Sequence, residues 1–382
     1  MAGAHARIAP SGLALTVACH ASVQLQEAAG EQPETDEEAE GTAADLVAQA
    51  YAAGDPWPIG HKFESSGRQW AVDVDMVNGA KLFVETLRGE GGDVRLHDGV
   101  RCSAIHETDC WGTPDGWRFF PRGTGPQQTP VLRAVEYKYG FRYVEVFECW
   151  QLIAYAVGVI ERLQLDDQNL ILELVVVQPR SYTIEGKVRT WRVSATDIRA
   201  LVNIAEHAAH EALKPNPTAT TGAHCIDCKA RHLCTTLQRS AANLVDYSAQ
   251  ADANELSADA MGSELHILDQ AMQRLEARRT GLAIRAEAAL RAGVQVPFYE
   301  LKPGRSNLKW LETVKPEDIA ALGDILGVTV RKPLEVFTPR QCIDAGIGED
   351  LINNYASRPA AGLKLAPVSM TATRKMFGAN RT

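Results

Sequence analysis

Glu136 and Lys138 lie two residues apart near the end of the apolar run Val131-Leu-Arg-Ala-Val-Glu-Tyr-Lys138, and Asp115 precedes them in Gly112-Thr-Pro-Asp-Gly116. Alternate residues of a strand point to one face, so the acid and the ammonium would share one side of a sheet. An aspartate from a neighbouring strand then completes a pocket of two carboxylates and one amine. Two carboxylates suit a hard divalent cation, and a lysine beside them can orient a water or help remove its proton. That set predicts hydrolysis of a phosphodiester. Taken singly, the residues have plainer uses. Glu136 and Lys138 suffice for a surface ion pair, and Pro-Asp-Gly is an ordinary turn sequence. The apolar setting of the pair and the presence of Asp115 favour the site.

A second constellation is Cys225-Ile-Asp-Cys228-Lys-Ala-Arg-His-Leu-Cys234. Three thiols so close together predict a metal centre rather than disulfides. A fourth ligand must come from elsewhere, and Cys19, in Val17-Ala-Cys19-His20, is the best candidate. Four thiolates suit either a [4Fe–4S] cluster or a tetrahedral zinc. His224 and His232 flank the group and keep a mixed Cys/His zinc site open. Either centre would staple the start of the domain to its end. Cys102, Cys110, Cys149 and Cys342 read as ordinary small residues.

The elements that would position these groups form a mixed order. Helices are expected over residues 43–53, with Thr42 as N-cap, and over 144–162. Strands are expected at 117–121, 131–138, 170–178 and 188–193, the third buried on both faces. Asp73 and Asp75 read as exposed strand positions, Gly89 to Gly92 as a turn, and Ser194 as the cap of a helix running to about residue 213. This order predicts an α/β layer around one central sheet. Leu265, Leu268, Met272, Leu275, Leu282 and Leu290 recur at helical spacing and predict one long amphipathic helix ending at Gly293. The chain thus divides into a domain over 1–240, a helical extension over 241–293 and a small mixed appendage over 294–382.

With 382 residues, 45% hydrophobic and 23% charged, the chain has the length and composition of a soluble protein of two or three domains. No apolar run approaches membrane-spanning length. The apolar stretch at 8–18 lacks a basic leader and a cleavage site, so a reducing cytoplasm is expected. A net charge of −9 argues against a nucleic-acid enzyme until it is mapped. Residues 27–45 hold eight acids and no Lys or Arg, and removing those eight leaves −1. Basic stripes elsewhere can still track phosphates. The acidic run at 31–40 predicts a mobile, solvated loop.

Together these features resemble the RecB-like branch of the PD-(D/E)XK nucleases. More narrowly, they resemble the iron–sulfur nucleases related to the CRISPR-adaptation exonucleases and the AddB nuclease domain, with the closest likeness to a phage-encoded group of uncharacterised role. The likeness rests on Gly112-Thr-Pro-Asp115, Glu136-Tyr-Lys138 and Gln151-Leu-Ile-Ala-Tyr155 in that order. Pro10-Ser11…Cys19, Glu40-Gly-Thr-Ala-Ala44 and Gly304-Arg-Ser-Asn-Leu-Lys-Trp310 support it. It implies a restriction-endonuclease-like core with an iron–sulfur staple and a C-terminal extension. Asp115 and Glu136 would bind Mg²⁺ or Mn²⁺, with Asp45 and the backbone carbonyl of Tyr137 as further ligands. Lys138 would be the catalytic lysine, with Gln151 and Tyr155 lining the cleft. Cys19, Cys225, Cys228 and Cys234 would hold the structural cluster. Related enzymes usually carry a histidine where this chain has Asp45, which makes the expected site harder and more negative.

The resemblance implies an exonuclease acting on DNA with a free end, in recombination or replication of a phage genome within a bacterial cytoplasm. A single-strand-binding or annealing protein would suit it as partner. Arg274, Arg278, Arg279, Arg285, Lys302, Arg305 and Lys309 would extend the DNA track, or else form a solvated helix face. The competing readings are a non-catalytic DNA-binding or assembly protein on a nuclease scaffold, and a site-specific endonuclease.

Overall fold

The computed structural model describes residues 6–30, 34–88, 94–121, 129–248 and 257–302, together with positions 317, 321, 325, 351 and 355. The chain divides into two compact units, Met1–Gln295 with Met370–Thr382, and Val296–Ser369. Most of the expected appendage over 294–382 lies outside the described residues, as do the expected turn at Gly89 to Gly92 and the basic residues Arg305 and Lys309.

In chain order the first unit runs α1 (Leu13–Ala18), α2 (Ser22–Ala29), α3 (Asp36–Ala53), β1 (Lys62–Ser65), β2 (Arg68–Ala71), α4 (Val74–Arg88), β3 (Val94–Leu96), β4 (Val100–Arg101) and β5 (Trp111–Gly112). It continues with β6 (Gly116–Phe120), β7 (Val131–Tyr137), α5 (Trp150–Leu163), β8 (Ile171–Val177), β9 (Val188–Ser194), α6 (Arg199–Leu213), α7 (Thr235–Ser248) and α8 (Ala258–Arg291). Five strands form the main sheet in the order β3-β6-β7-β8-β9. Only the β7–β8 pair in it is parallel. Parallel neighbours need a crossover, and α5 supplies it. The architecture is a mixed α/β fold whose five-stranded mixed sheet is flanked by helices.

Strand alternation sorts the core into two layers. Leu132, Ala134, Leu172, Leu174 and Val176 pack with α5 and α6 on one side, while Val135, Tyr137, Val175 and Val177 meet α3 and α4 on the other. The α5 helix is buried along most of its length because it lies over the sheet centre. Its Gly158 instead admits the β4–β5 ribbon: a Cβ there would stand 2.6 Å from the backbone oxygen of Arg101 in β4.

The structure corrects four local expectations. Residues 36–40 belong to α3 instead of a solvated loop, and Thr35, not Thr42, is the N-cap. Thr35 and Glu38 form a capping box, and Asp36, Glu37 and Glu38 fill the first turn, where negative charge meets the positive end of the helix dipole. Asp73 is no strand residue, because its Oδ1 accepts from the N–H of Met76 (2.7 Å) at the start of α4, and Asp75 lies in that helix's first turn. Helix α5 begins at Trp150, not at 144. The backbone ahead of it is drawn to Gln178, whose Nε2 donates to the carbonyls of Gly140 and Arg142 (both 2.7 Å) and whose Oε1 accepts from the N–H of Val144 (3.3 Å). Ser194 ends β9, and α6 starts only at Arg199.

Candidate metal centre and catalytic cluster

The same alternation that buries Leu132 and Ala134 under α5 turns Glu136 and Lys138 toward that helix. Lys138 Nζ stands 2.7 Å from Glu136 Oε1. Gln151, in the first turn of α5, donates through Nε2 to the same Glu136 oxygen (2.8 Å) and accepts from Lys138 Nζ through Oε1 (3.2 Å). Gln151 Nε2 also lies 3.4 Å from the Tyr155 hydroxyl, one turn along the helix. Register brings the third expected residue alongside: Gly116 pairs with Val135, so Asp115 stands beside Glu136. Its Oδ2 accepts from the N–H of Tyr137 (2.7 Å). Asp115, Glu136, Lys138, Gln151 and Tyr155 are therefore assembled around one point of the sheet.

Asp45 reaches this point from α3, and His97 reaches it from the turn after β3. Ligand atoms of Asp45, His97 and Asp115 all lie within 4.8 Å of one another. His97 Nε2 stands 3.9 Å from Asp45 Oδ1, and the His97 N–H donates to the carbonyl of Asp115 (3.4 Å). Sequence reasoning missed His97. Leu96-His97-Asp98-Gly99 reads only as a turn, and His97 itself takes a positive φ of 45° there. The expected ligand set is thus rearranged, with Asp45 and Asp115 joined by His97 while Glu136 faces Lys138 and Gln151. Of Tyr137, the N–H is held by Asp115 and the ring lies in the opposite core layer against Phe83.

The electrostatics show what this cluster lacks. Burial, with Glu136 and Asp45 adding repulsion, holds the Asp115 carboxyl well above the ordinary carboxylate range. Burial likewise raises Asp45, against the pull of His97. Glu136 raises the Lys138 ammonium by direct attraction, which outweighs the cost of burying it. Asp45 Oδ1, His97 Nε2 and Glu136 Oε2 are buried with no hydrogen-bond partner. An unmet buried acceptor costs free energy, and several together cost more. A divalent cation would satisfy oxygen and imidazole ligands of this kind, so the donor set fits one.

The cysteines also come together. Cys19, Cys225, Cys228 and Cys234 line one small pocket with Leu15, Leu25 and Leu237. Backbone N–H groups point at three of the sulfurs: Thr220 to Cys19 (3.5 Å), Gly222 to Cys225 (3.4 Å) and Leu237 to Cys234 (3.4 Å). Burial opposes ionisation of Cys19, but hydrogen bonds from His224 and Thr220 prevail and hold its pKa below the ordinary thiol value. His224, bonded to the Cys19 and Cys225 sulfurs, is raised to about 10. Such donors suit sulfurs that carry negative charge. Helix α8 closes this end: Arg278 Nη1 donates to the carbonyls of Arg231 (3.2 Å) and His232 (2.6 Å). Cys102, Cys110 and Cys149 lie away from the group, the first two paired across the β4–β5 ribbon through the Cys102 N–H and the Cys110 carbonyl (2.9 Å).

No helix among the described residues is long and apolar enough to cross a membrane. No curated protein matches this chain. A family model described as a protein of unknown function, DUF2800, matches residues 127–339. That span includes Glu136, Lys138, Gln151, Tyr155 and three of the four clustered cysteines, and it stops short of Asp45, His97, Asp115 and Cys19. Because the match covers more than half of the chain, the protein belongs to the DUF2800 family.

Proposed function

We propose that the protein is a metal-dependent deoxyribonuclease with a PD-(D/E)XK core, acting on DNA ends. One observation carries the reading: three buried polar atoms, on Asp45, His97 and Glu136, lack hydrogen-bond partners beside a lysine that is held in place by an acid and an amide. Asp45, His97 and Asp115 would hold Mg²⁺ or Mn²⁺, with the free oxygen of Glu136 and the carbonyl of Tyr137 as further donors. When bound, such an ion polarises a phosphodiester and lowers the pKa of a coordinated water. Lys138 stays charged under the pull of Glu136, so its part is to orient the nucleophile and to offset charge building on the phosphate. Gln151 fixes the Lys138–Glu136 geometry, and Tyr155 supports Gln151.

The four cysteines would carry a structural [4Fe–4S] cluster, since hydrolysis transfers no electrons; zinc is the competing occupant. The reading takes in the resemblance to phage-encoded exonucleases, a free DNA end as substrate, a single-strand-binding or annealing protein as partner, and a bacterial cytoplasm as setting. Its test is incubation of the purified protein with labelled linear and closed circular DNA and Mg²⁺ or Mn²⁺. Loss of linear DNA with survival of circles supports an exonuclease. Cutting of circles indicates an endonuclease on the same site. Binding without hydrolysis of either form leaves a non-catalytic DNA-binding protein and ends the enzyme reading.

A further inference from the structure

The segment that leaves the candidate site presents an aromatic ring to solvent. Phe141, three residues after Lys138, is 63% exposed. The connection between β8 and β9 exposes Tyr182 (71%) and Ile184 (99%). These two segments are tied together. The guanidinium carbon of Arg180 stands 4.9 Å from the centre of the Phe141 ring and 3.8 Å from that of Tyr139, and the Tyr143 hydroxyl bonds the Glu185 carboxylate. Arg180 is in turn gripped by both oxygens of Glu40 (2.7 Å each). One face of Phe141 is therefore backed by a fixed cation while the ring remains largely open.

We propose that Phe141, backed by Arg180, is a stacking platform for bases of single-stranded DNA whose backbone passes Lys138. The choice of DNA rests on the nuclease reading; the stacking chemistry rests on the rings. Aromatic faces interleaved with cations take up bases without regard to sequence, because every base has a π-face. Bases inside a duplex are already stacked on one another, so only a single strand, or a frayed end, can use the ring. Three residues of chain span at most about 11 Å, so the backbone that carries Phe141 lies within a few nucleotides' length of the backbone that carries Lys138. Arg142, next to Phe141, is paired with Asp227 and so ties this segment to the cysteine loop. The site would thus be selective for strandedness.

The test uses the full-length protein without divalent metal, so that binding is read apart from turnover. A fluorescent oligothymidylate and a blunt hairpin duplex serve as probes. Phe141→Ala should bind the single strand roughly tenfold more weakly, the loss of about one stacked base, with duplex binding unchanged. Phe141→Trp should keep the affinity, and its added fluorescence, read against the parent's seven tryptophans, should be quenched by the single strand. Unaltered melting of both variants ties the effect to binding. Equal single-strand affinity of Phe141→Ala and parent would overturn the platform, as it would if the rings served a protein partner instead. The two readings fail separately: a protein that binds strands through Phe141 yet cuts none with Mg²⁺ or Mn²⁺ sinks the nuclease alone, whereas one that cuts DNA but ignores Phe141 sinks the platform alone.

Discussion

His97 and Asp45 come from elements far apart in the chain, yet Nε2 of the one stands 3.9 Å from Oδ1 of the other, and both atoms are buried without a hydrogen-bond partner. Two such atoms facing each other beside Asp115 make a costly arrangement in the absence of a cation. Removing either ligand should therefore weaken metal binding. His97→Ala and Asp45→Ala are each expected to lower Mn²⁺ affinity roughly 10-fold to 100-fold, a range typical even of groups that only support a ligand. Titration calorimetry or the paramagnetic resonance of free Mn²⁺ measures this, and parent-like affinity in both variants would remove His97 and Asp45 from the site.

The raised Asp115 carboxyl gives a signed pH dependence. A carboxyl whose folded pKa lies above its unfolded value stabilises the fold below the unfolded value, and that contribution is lost as pH rises through the folded value. The metal-free protein should lose stability over that window, which opens upward from the ordinary carboxylate range. A cation takes over the role of the proton. Mn²⁺ should thus raise the melting midpoint more at about pH 8 than at about pH 5, where protons compete for the carboxylates. Asp115→Asn keeps an oxygen for the Tyr137 N–H and removes the charge, so it should raise the metal-free midpoint at the higher pH while abolishing the Mn²⁺ response. Equal Mn²⁺ shifts at the two pH values would contradict this.

The cysteine pocket predicts a division among the thiols. Cys19→Ser and Cys228→Ser should each abolish the proposed metal centre, read as visible absorbance and iron content or as stoichiometric zinc, and should melt earlier. Cys102→Ser, in the β4–β5 ribbon, should retain it. A colourless parent with one zinc per chain would decide for zinc over iron–sulfur.

Two substitutions test the packing that positions the site. Thr35→Ala breaks the capping box of α3 and should cost about 1 kcal/mol, with some loss of metal affinity because Asp45 rides on that helix. Gly158→Ala forces a Cβ against the Arg101 carbonyl and should cost about 1–3 kcal/mol by overpacking. Chemical denaturation measures both.

How much of this was legible in the sequence depended on whether the signal was local. Glu136 with Lys138, and Gln151 with Tyr155, were readable because strand and helix periods put each pair on one face, and strand order then brought in Asp115. His97 left no trace, because a histidine in a turn acquires meaning only from what the fold sets opposite it. The start of α3 was missed because the acidic run at 31–40 reads as a solvated loop, when three of its acids sit in the first turn, where the helix dipole favours negative charge. The late start of α5 depends on Gln178, a buried amide on the far side of the crossover, and nothing in residues 144–149 announces it.

In the proposed reaction Lys138 and Asp115 act together on a phosphodiester with a divalent ion. The most direct measurement is the digestion rate of end-labelled linear DNA in Mn²⁺ by the parent, Lys138→Ala and Asp115→Asn, with folding checked by circular dichroism. Hydrolysis by the parent and a loss of at least about a hundredfold in each variant are expected. Digestion by folded Lys138→Ala and Asp115→Asn at the parental rate would contradict that reaction.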